Sequence, residues 1–338
     1  MKYISFLTSR GFAVGLLIIS IIILVLWSKL QEFYSLFFLL VPGALFLSML
    51  FCVIRRFAER KKGRNISFYG SMIFHAGMLA WILSTALMPI IGFYASVALP
   101  EGLTVDVGNE RFAVIDSRGI GEIPVISLRL NWQRNRYEGQ YVVERAAGVT
   151  ISMMTEDGYK NSEEVLRINS PVSRHGYGIM LEGGALSPLF IARDNKGAVV
   201  FDSFVNLSNE TAVEDSFEIP GAGIIIHARF FPDVFKQGNE YGTRSLEPKN
   251  PAFGVRVVRN KEPFKDAWKG VVKKGEVVPF DGLTLEFADI KPVVTVQVVN
   301  DPTYWGIYAG WLLIVAGLVI RYAPFLTGKR LPPFTKGG

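Results

Sequence analysis

The sequence predicts a membrane α + β protein: four transmembrane helices, three before and one after an extracytoplasmic antiparallel β-rich domain, sandwich or barrel-like in form. Three observations carry this reading. Hydrophobic residues make up 50% of a 338-residue chain and concentrate in the first 94 positions and in Tyr304–Ile320. The segment between them is polar and breaks into short strand-like runs rich in β-branched and aromatic residues. Basic residues cluster at selected ends of the apolar runs, as they do on the cytoplasmic side of membrane proteins. The expected divisions are 1–94 for a three-span membrane region, 95–302 for the β domain, 303–322 for the fourth helix and 323–338 for a cytoplasmic tail.

Taken in order, Gly11–Trp27 is a nearly unbroken apolar run. It is long for a signal-peptide core, and no small-residue cleavage site follows it, so it reads as an uncleaved first helix. Lys29–Glu32 turns the chain, and Phe33–Ile54 returns as a second helix, with Pro42 and Gly43 available for a kink. Six basic residues follow: Arg55, Arg56, Arg60, Lys61, Lys62 and Arg64. They place this loop in the cytoplasm. The third helix, Phe68–Phe93, is longer than the roughly 20 residues a bilayer requires, and it runs outward. Tyr304–Ile320 runs back, and Arg321, Lys329, Arg330 and Lys336 follow it. Both termini are therefore expected inside, in a bacterial inner membrane.

The net charge of +6 does not describe the polar segment. Ala95–Asp301 carries 23 Lys and Arg against 28 Asp and Glu, so the basic excess belongs to the membrane flanks. That distribution reports topology and argues against nucleic-acid binding. Cys52 is the only cysteine. A C-x-x-C redox pair, a C-x-x-C-H haem attachment site and an internal disulfide are thereby excluded. The runs RFAVIDS, VISLRLNW, LFIARDNKGAVVFDSF, GIIIHARFF, FGVRVV, LTLEF and VVTVQVV read as strands, with turn signals at Asn195-Lys196-Gly197 and Asp281-Gly282.

One residue stands out chemically. His75 lies inside the third apolar run, where an ionisable side chain is costly. Met72, Leu79 and Ile82 share its helical face, while Ala76, Ala80 and Ser84 form a neighbouring stripe suited to close helix packing. Two readings of His75 stand side by side. It makes a polar hydrogen bond between helices, or it is a metal ligand, since a neutral imidazole coordinates haem iron well. His175 and His227 lack a second His or Cys at metal-ligand spacing and read as surface or satisfied strand residues. Trp27, Trp81, Trp305 and Tyr304 read as interfacial anchors. No nucleophile elbow, P-loop or dinucleotide fingerprint is present.

Three stretches carry a resemblance. The first is FHAGMLAWILSTAL followed by a segment ending in LPEG, Leu99–Gly102. The second is INSPVSRHGYGIML, with Asn169, Pro171, Gly176 and Tyr177. The third is NPAFGVRVV and then, after a β segment, VVNDPTYWGIYAGWLLIVAGLVI. In this order the chain resembles the ResB-like (CcsB-type) membrane proteins of System II cytochrome c biogenesis. The resemblance implies a non-catalytic or co-catalytic subunit of a holocytochrome c synthase complex. It implies haem as transient cofactor, with His75 at the family's intramembrane haem-iron ligand position. It also implies apocytochrome c and a multi-span Trp-rich haem-handling protein (CcsA/ResC-like) as partners within the lipid bilayer, with Asn169, Pro171, Gly176 and Tyr177 as contact candidates. The competing reading is a membrane-anchored β domain acting as an assembly or envelope factor with no haem role.

Overall fold

The computed structural model describes Phe12, Gly15, Ile18, Ile19 and Ile22, and residues 35–59, 66–120, 122–138, 141–207, 213–238, 240–259 and 266–326. Most of the expected first helix, Trp27, the basic positions 60–64 and the tail from 327 onward lie outside these residues. The five single positions are helical. The chain divides into two compact units. One comprises Met1–Phe93, Ser117–Gly121 and Asn300–Gly338, and the other Tyr94–Asp116 and Glu122–Val299.

Among the described residues, three long helices lie in the first unit: α1 (Ser35–Glu59), α2 (Ile66–Ile91) and α3 (Thr303–Leu326). Of these, α2 and α3 are long and apolar enough to cross a bilayer. Each has a defined end. At the start of α3, Asp301 Oδ1 accepts from the Thr303 backbone N–H at 2.8 Å and from Thr303 Oγ1 at 2.5 Å. Pro302 occupies the next position, where no N–H is needed. The Asp-Pro pair is thus an N-cap followed by a first-turn proline. At the far end of α2, the Ser117 hydroxyl reaches the carbonyls of Pro89 and Gly92, at 3.1 and 2.6 Å. Those contacts satisfy helix-end acceptors that have no partner inside the helix, and they explain why Ser117–Gly121 belongs with the helices.

α2 and α3 meet through glycine. A Cβ on Gly77 would fall 2.6 Å from the Ile314 nitrogen and 2.7 Å from the Gly310 carbonyl. One on Gly310 would fall 2.9 Å from the Trp81 nitrogen, and one on Gly317 2.8 Å from the Gly70 carbonyl. Gly306 lies against Ser84 in the same way. The seam on α2 is therefore Gly70, Gly77 and Ser84, seven residues apart, which is the spacing that keeps one face toward a partner helix. Of the expected stripe Ala76, Ala80 and Ser84, Ser84 lies on this seam, and Ala76 is exposed. The reason is steric: backbones this close tolerate no Cβ, so glycine rather than alanine marks the contact. Trp81 and Trp311 flank it edge to face, 6.2 Å apart.

The second unit is built of antiparallel strands. Its elements are β1 (Phe93–Pro100), β2 (Thr104–Asp106), β3 (Ala113–Arg118), β4 (Ile126–Glu138), β5 (Tyr141–Thr155), β6 (Gly158–Arg167), β7 (Val172–Arg174), β8 (Tyr177–Asp194) and β9 (Val199–Phe204). They continue as β10 (Glu214–Ile219), β11 (Ile224–Phe231), β12 (Val234–Gln237), β13 (Glu240–Thr243), β14 (Ala252–Arg259), β15 (Asp266–Lys273), β16 (Val277–Phe280) and β17 (Leu283–Asn300). The largest sheet runs β3-β1-β17-β8-β7, with β16 added on β17 and β9 on β8. Two four-stranded sheets, β2-β4-β5-β6 and β10-β11-β14-β15, and the β12-β13 hairpin complete the set.

Side chains from β8, β17, β11 and β14 share one apolar core. At its centre Phe253 meets Phe287 at 5.0 Å and Phe190 at 5.3 Å, both edge to face, an arrangement that suits the ring quadrupoles. The expected turn at Asp281-Gly282 is present as a two-residue hairpin with both residues at positive φ, 46° and 78°. The runs LTLEF and VVTVQVV, read from sequence as two strands, form the single long β17. Bulges at Phe287/Asp289 and Thr295/Val296 absorb the irregularity around Pro292.

The helix seam makes a direct prediction. In a Cys52→Ser background, cysteines replacing Trp81 and Trp311 should cross-link efficiently. Adding Gly77→Leu should lower the yield several-fold on a denaturing gel, and an undiminished yield would contradict the seam.

Candidate functional site

His75 sits in the middle of α2. The residues that meet α3 are Gly70, Phe74, Gly77, Trp81 and Ser84. Successive helical residues advance by about 100°, so His75 lies about 200° round from Gly77 and faces away from α3. Its flank is partly covered. Phe68, Ser71 and Ile82 are buried, while Met72, His75 and Leu79 are partly buried.

The imidazole makes one polar contact among the described residues. Its Nδ1 lies 2.6 Å from the Ser71 carbonyl oxygen, one turn back on the same helix. A carbonyl only accepts, so Nδ1 carries the proton. The neutral ring then holds its lone pair on Nε2. The ring also meets the edge of Phe74 at 5.4 Å. A histidine whose one nitrogen is engaged by a carbonyl and whose other nitrogen is bare is the form that binds metals, because that hydrogen bond fixes tautomer and orientation. Among the described residues, the hydrogen bond that His75 makes lies within α2 itself.

A metal would need further donors from elsewhere. Among the described residues, no group of three His, Cys, Asp or Glu side chains could hold an ion. A lone imidazole can supply one donor to a metal whose other positions are filled from elsewhere.

The segment Asn169–Tyr177 has a definite structure. Asn169 turns the chain at φ 59°, and the Ser170 N–H donates to the Arg167 carbonyl at 3.2 Å. His175 and Gly176, at φ 47° and 82°, form the two-residue turn between β7 and β8, with Arg174 paired to Tyr177. Asn169, Pro171, His175 and Gly176 are exposed, and Tyr177 is partly buried. Asn and Gly here supply the left-handed backbone that tight turns need.

His227 lies on β11, its Nδ1 3.4 Å from Glu214 Oε1. The same carboxylate accepts from Arg256 Nη2 at 2.8 Å. The Arg256 hydrogen bond holds the Glu214 carboxyl below the usual carboxylate range. His227 accordingly lies beside the surface ion pair of Glu214 and Arg256.

Of the expected aromatic anchors, Trp305 is 80% exposed on α3 and Tyr304 is also exposed. Trp81 instead packs against α3.

Sequence reasoning missed a polar cluster on the second unit. Asn135 Oδ1 accepts from Gln133 Nε2 and from Arg145 Nε, both at 3.3 Å, and Asn135 Nδ2 donates to the Tyr137 hydroxyl at 3.2 Å. The alternation Gln133-x-Asn135-x-Tyr137 on one face of β4 was the signal available for it.

No family model matches the chain. Two curated proteins are similar to it, both named cytochrome c biogenesis protein CcsB, from a strain of Synechococcus elongatus and a strain of Synechococcus sp.. Each is 22% identical over 259 residues, covering 75% of this chain and 50% of the relative. The chain thus spans about half the length of these relatives. Their similarity supports the ResB-like, CcsB-type resemblance carried by the sequence motifs.

Proposed function

We propose that this chain is a membrane subunit of cytochrome c biogenesis that handles haem as cargo, with His75 Nε2 as one axial donor. The observation that carries the reading is the His75 Nδ1–H bond to the Ser71 carbonyl, which among the described residues leaves Nε2 without a hydrogen-bond partner inside an apolar helix. The named relatives support the general role in cytochrome c biogenesis. Haem iron bound to two axial nitrogen donors is held more firmly than with one. A partner subunit would supply the second, in keeping with a multi-span haem-handling protein. Within this chain, α2 orients the imidazole and the apolar flank excludes water from it. No residue of the chain is assigned a catalytic step, and covalent attachment to apocytochrome c belongs to the complex.

The membrane placement is part of the same proposal. Only 11% of the most apolar stretch of α2 and 22% of that of α3 is buried within the protein. Leu312, at 72%, and Val319, at 60%, are among the exposed apolar side chains of α3. A helix this apolar and this uncovered suits lipid rather than water. With the basic loop after α1 inside, the β domain lies outside. A reporter inserted at Lys196, in the exposed β8–β9 turn, should be active only in its extracytoplasmic form. Activity of the cytoplasmic form would overturn the orientation.

Co-expression with the presumed partner and a haem spectrum tests the ligand. His75→Ala should lose most of the Soret absorbance while still inserting and co-purifying. His75→Gly should regain part of it when imidazole is added. Unchanged haem content in His75→Ala would remove the assignment and leave the envelope-factor reading.

A further inference from the structure

Arg145 on β5 carries a charge that no carboxylate among the described residues pairs with. Its Nε donates to Asn135 Oδ1 at 3.3 Å. No carboxylate among the described residues reaches its guanidinium. The acids around it are committed elsewhere: Glu144 is shared between Arg136, at 3.5 Å, and Arg167, at 3.7 Å, and Glu138 lies 3.4 Å from Arg136. Partial burial disfavours the charged form of Arg145. An arginine stays charged regardless, so the desolvation cost stands without a compensating anion.

Beside it is a second unfilled group. Gln133 Oε1 is buried and has no hydrogen-bond partner among the described residues, a state that is costly for a polar group. Its amide nitrogen is held by Asn135, which fixes the oxygen's orientation. The Gln133 and Arg145 side chains lie across the strip Gly183-Gly184 of β8. A Cβ at Gly184 would fall 2.6 Å from Gln133 Nε2 and 3.2 Å from Arg145 Cδ. The cluster is thus seated on backbone that carries no side chain.

Arg145 also lines a groove of about 370 Å³, together with Val142, Val143, Glu144, Arg167 and Ile168. That volume falls within the range of small-molecule sites, roughly 300–1,000 Å³. Val143 and Ile168 are among its exposed apolar residues. One wall therefore offers a fork of N–H donors without an anion, and another offers apolar surface without a cover. A guanidinium fork matches a carboxylate with two parallel hydrogen bonds.

We propose that this groove binds the carboxylate of an amphipathic small molecule. Arg145 grips the carboxylate and Val142, Val143 and Ile168 take the apolar body. The proposal does not rest on the haem reading, because it uses no residue of α2. A free aliphatic or aromatic acid and a carboxylate-bearing tetrapyrrole present the same chemistry, and the test separates them.

The full-length protein in lipid nanodiscs is titrated with 4-(1-pyrenyl)butanoate, read by fluorescence, with the matching uncharged amide as control. The acid should bind saturably at one site, the amide at least ten-fold more weakly. Arg145→Met should weaken the acid at least ten-fold, and Arg145→Lys, which keeps the charge and loses the fork, by less. Metal-free protoporphyrin IX, which cannot bind through His75 Nε2 as a metal ligand, is then the competitor. Displacement of the pyrene probe identifies a tetrapyrrole carboxylate as an occupant. Absence of displacement assigns the groove to smaller acids. The Met variant should keep its β circular-dichroism signal and unfold at the same or a higher temperature, since it sheds an uncompensated charge. Equal binding of acid and amide, equal binding to Arg145→Met, or no saturable binding would overturn the proposal. So would loss of the folded signal in Arg145→Met, which would make Arg145 structural.

Discussion

Everything about the helical unit depends on two backbones touching. Gly70 and Gly77 on α2, and Gly310 and Gly317 on α3, allow an approach at which a single Cβ would clash with main-chain atoms. In lipid the hydrophobic effect does not drive helices together, so close van der Waals contact must do so. The seam joins the helix that enters the β domain to the helix that leaves it. It also fixes the rotation of α2 about its own axis. With Gly77 turned toward α3, His75 turns away, and its imidazole faces outward from the pair. The site is thus a consequence of where glycine sits two residues later.

The same helix sets the protonation of that imidazole. Its i−4 hydrogen bond to the Ser71 carbonyl is a local, backbone-determined contact that needs no third element. It engages one ring nitrogen, and among the described residues the other makes no hydrogen bond. A neutral, oriented donor is the state in which histidine binds a metal. The β domain offers different chemistry: paired surface charges on β10-β11-β14-β15, and the Arg145 guanidinium, without a carboxylate partner among the described residues, over the glycine strip of β8.

How much of this was legible in the sequence follows from range. The limits of α2 and α3, and the Asp281-Gly282 hairpin, are written in local hydropathy and turn chemistry, and they fell within a few residues of expectation. The hairpin β5–β6 did not stand out, because along β6 Leu166 is the buried apolar residue and the rest is polar or exposed. The single strand β17 looked like two because Pro292 interrupts its pattern, and only its neighbours show that the pairing continues. The seam was assigned to Ala76, Ala80 and Ser84, since one helix alone cannot reveal which small residues face a partner. His75 was legible as an ionisable residue in an apolar run, while its tautomer needed the Ser71 geometry. The Arg145 cluster draws on β4, β5 and β8, and its missing counter-ion becomes visible only when those strands are assembled.

The central claim is that His75 presents a bare Nε2 to iron. Histidine-selective ¹⁵N spectra of the nanodisc-embedded protein test it most directly, with His175→Gln and His227→Gln variants assigning the signals. The account predicts a neutral His75 ring protonated at Nδ1 alone, and selective paramagnetic loss of that signal when ferric haem is added. A ring protonated at Nε2, or a His75 signal that haem leaves untouched, would contradict it.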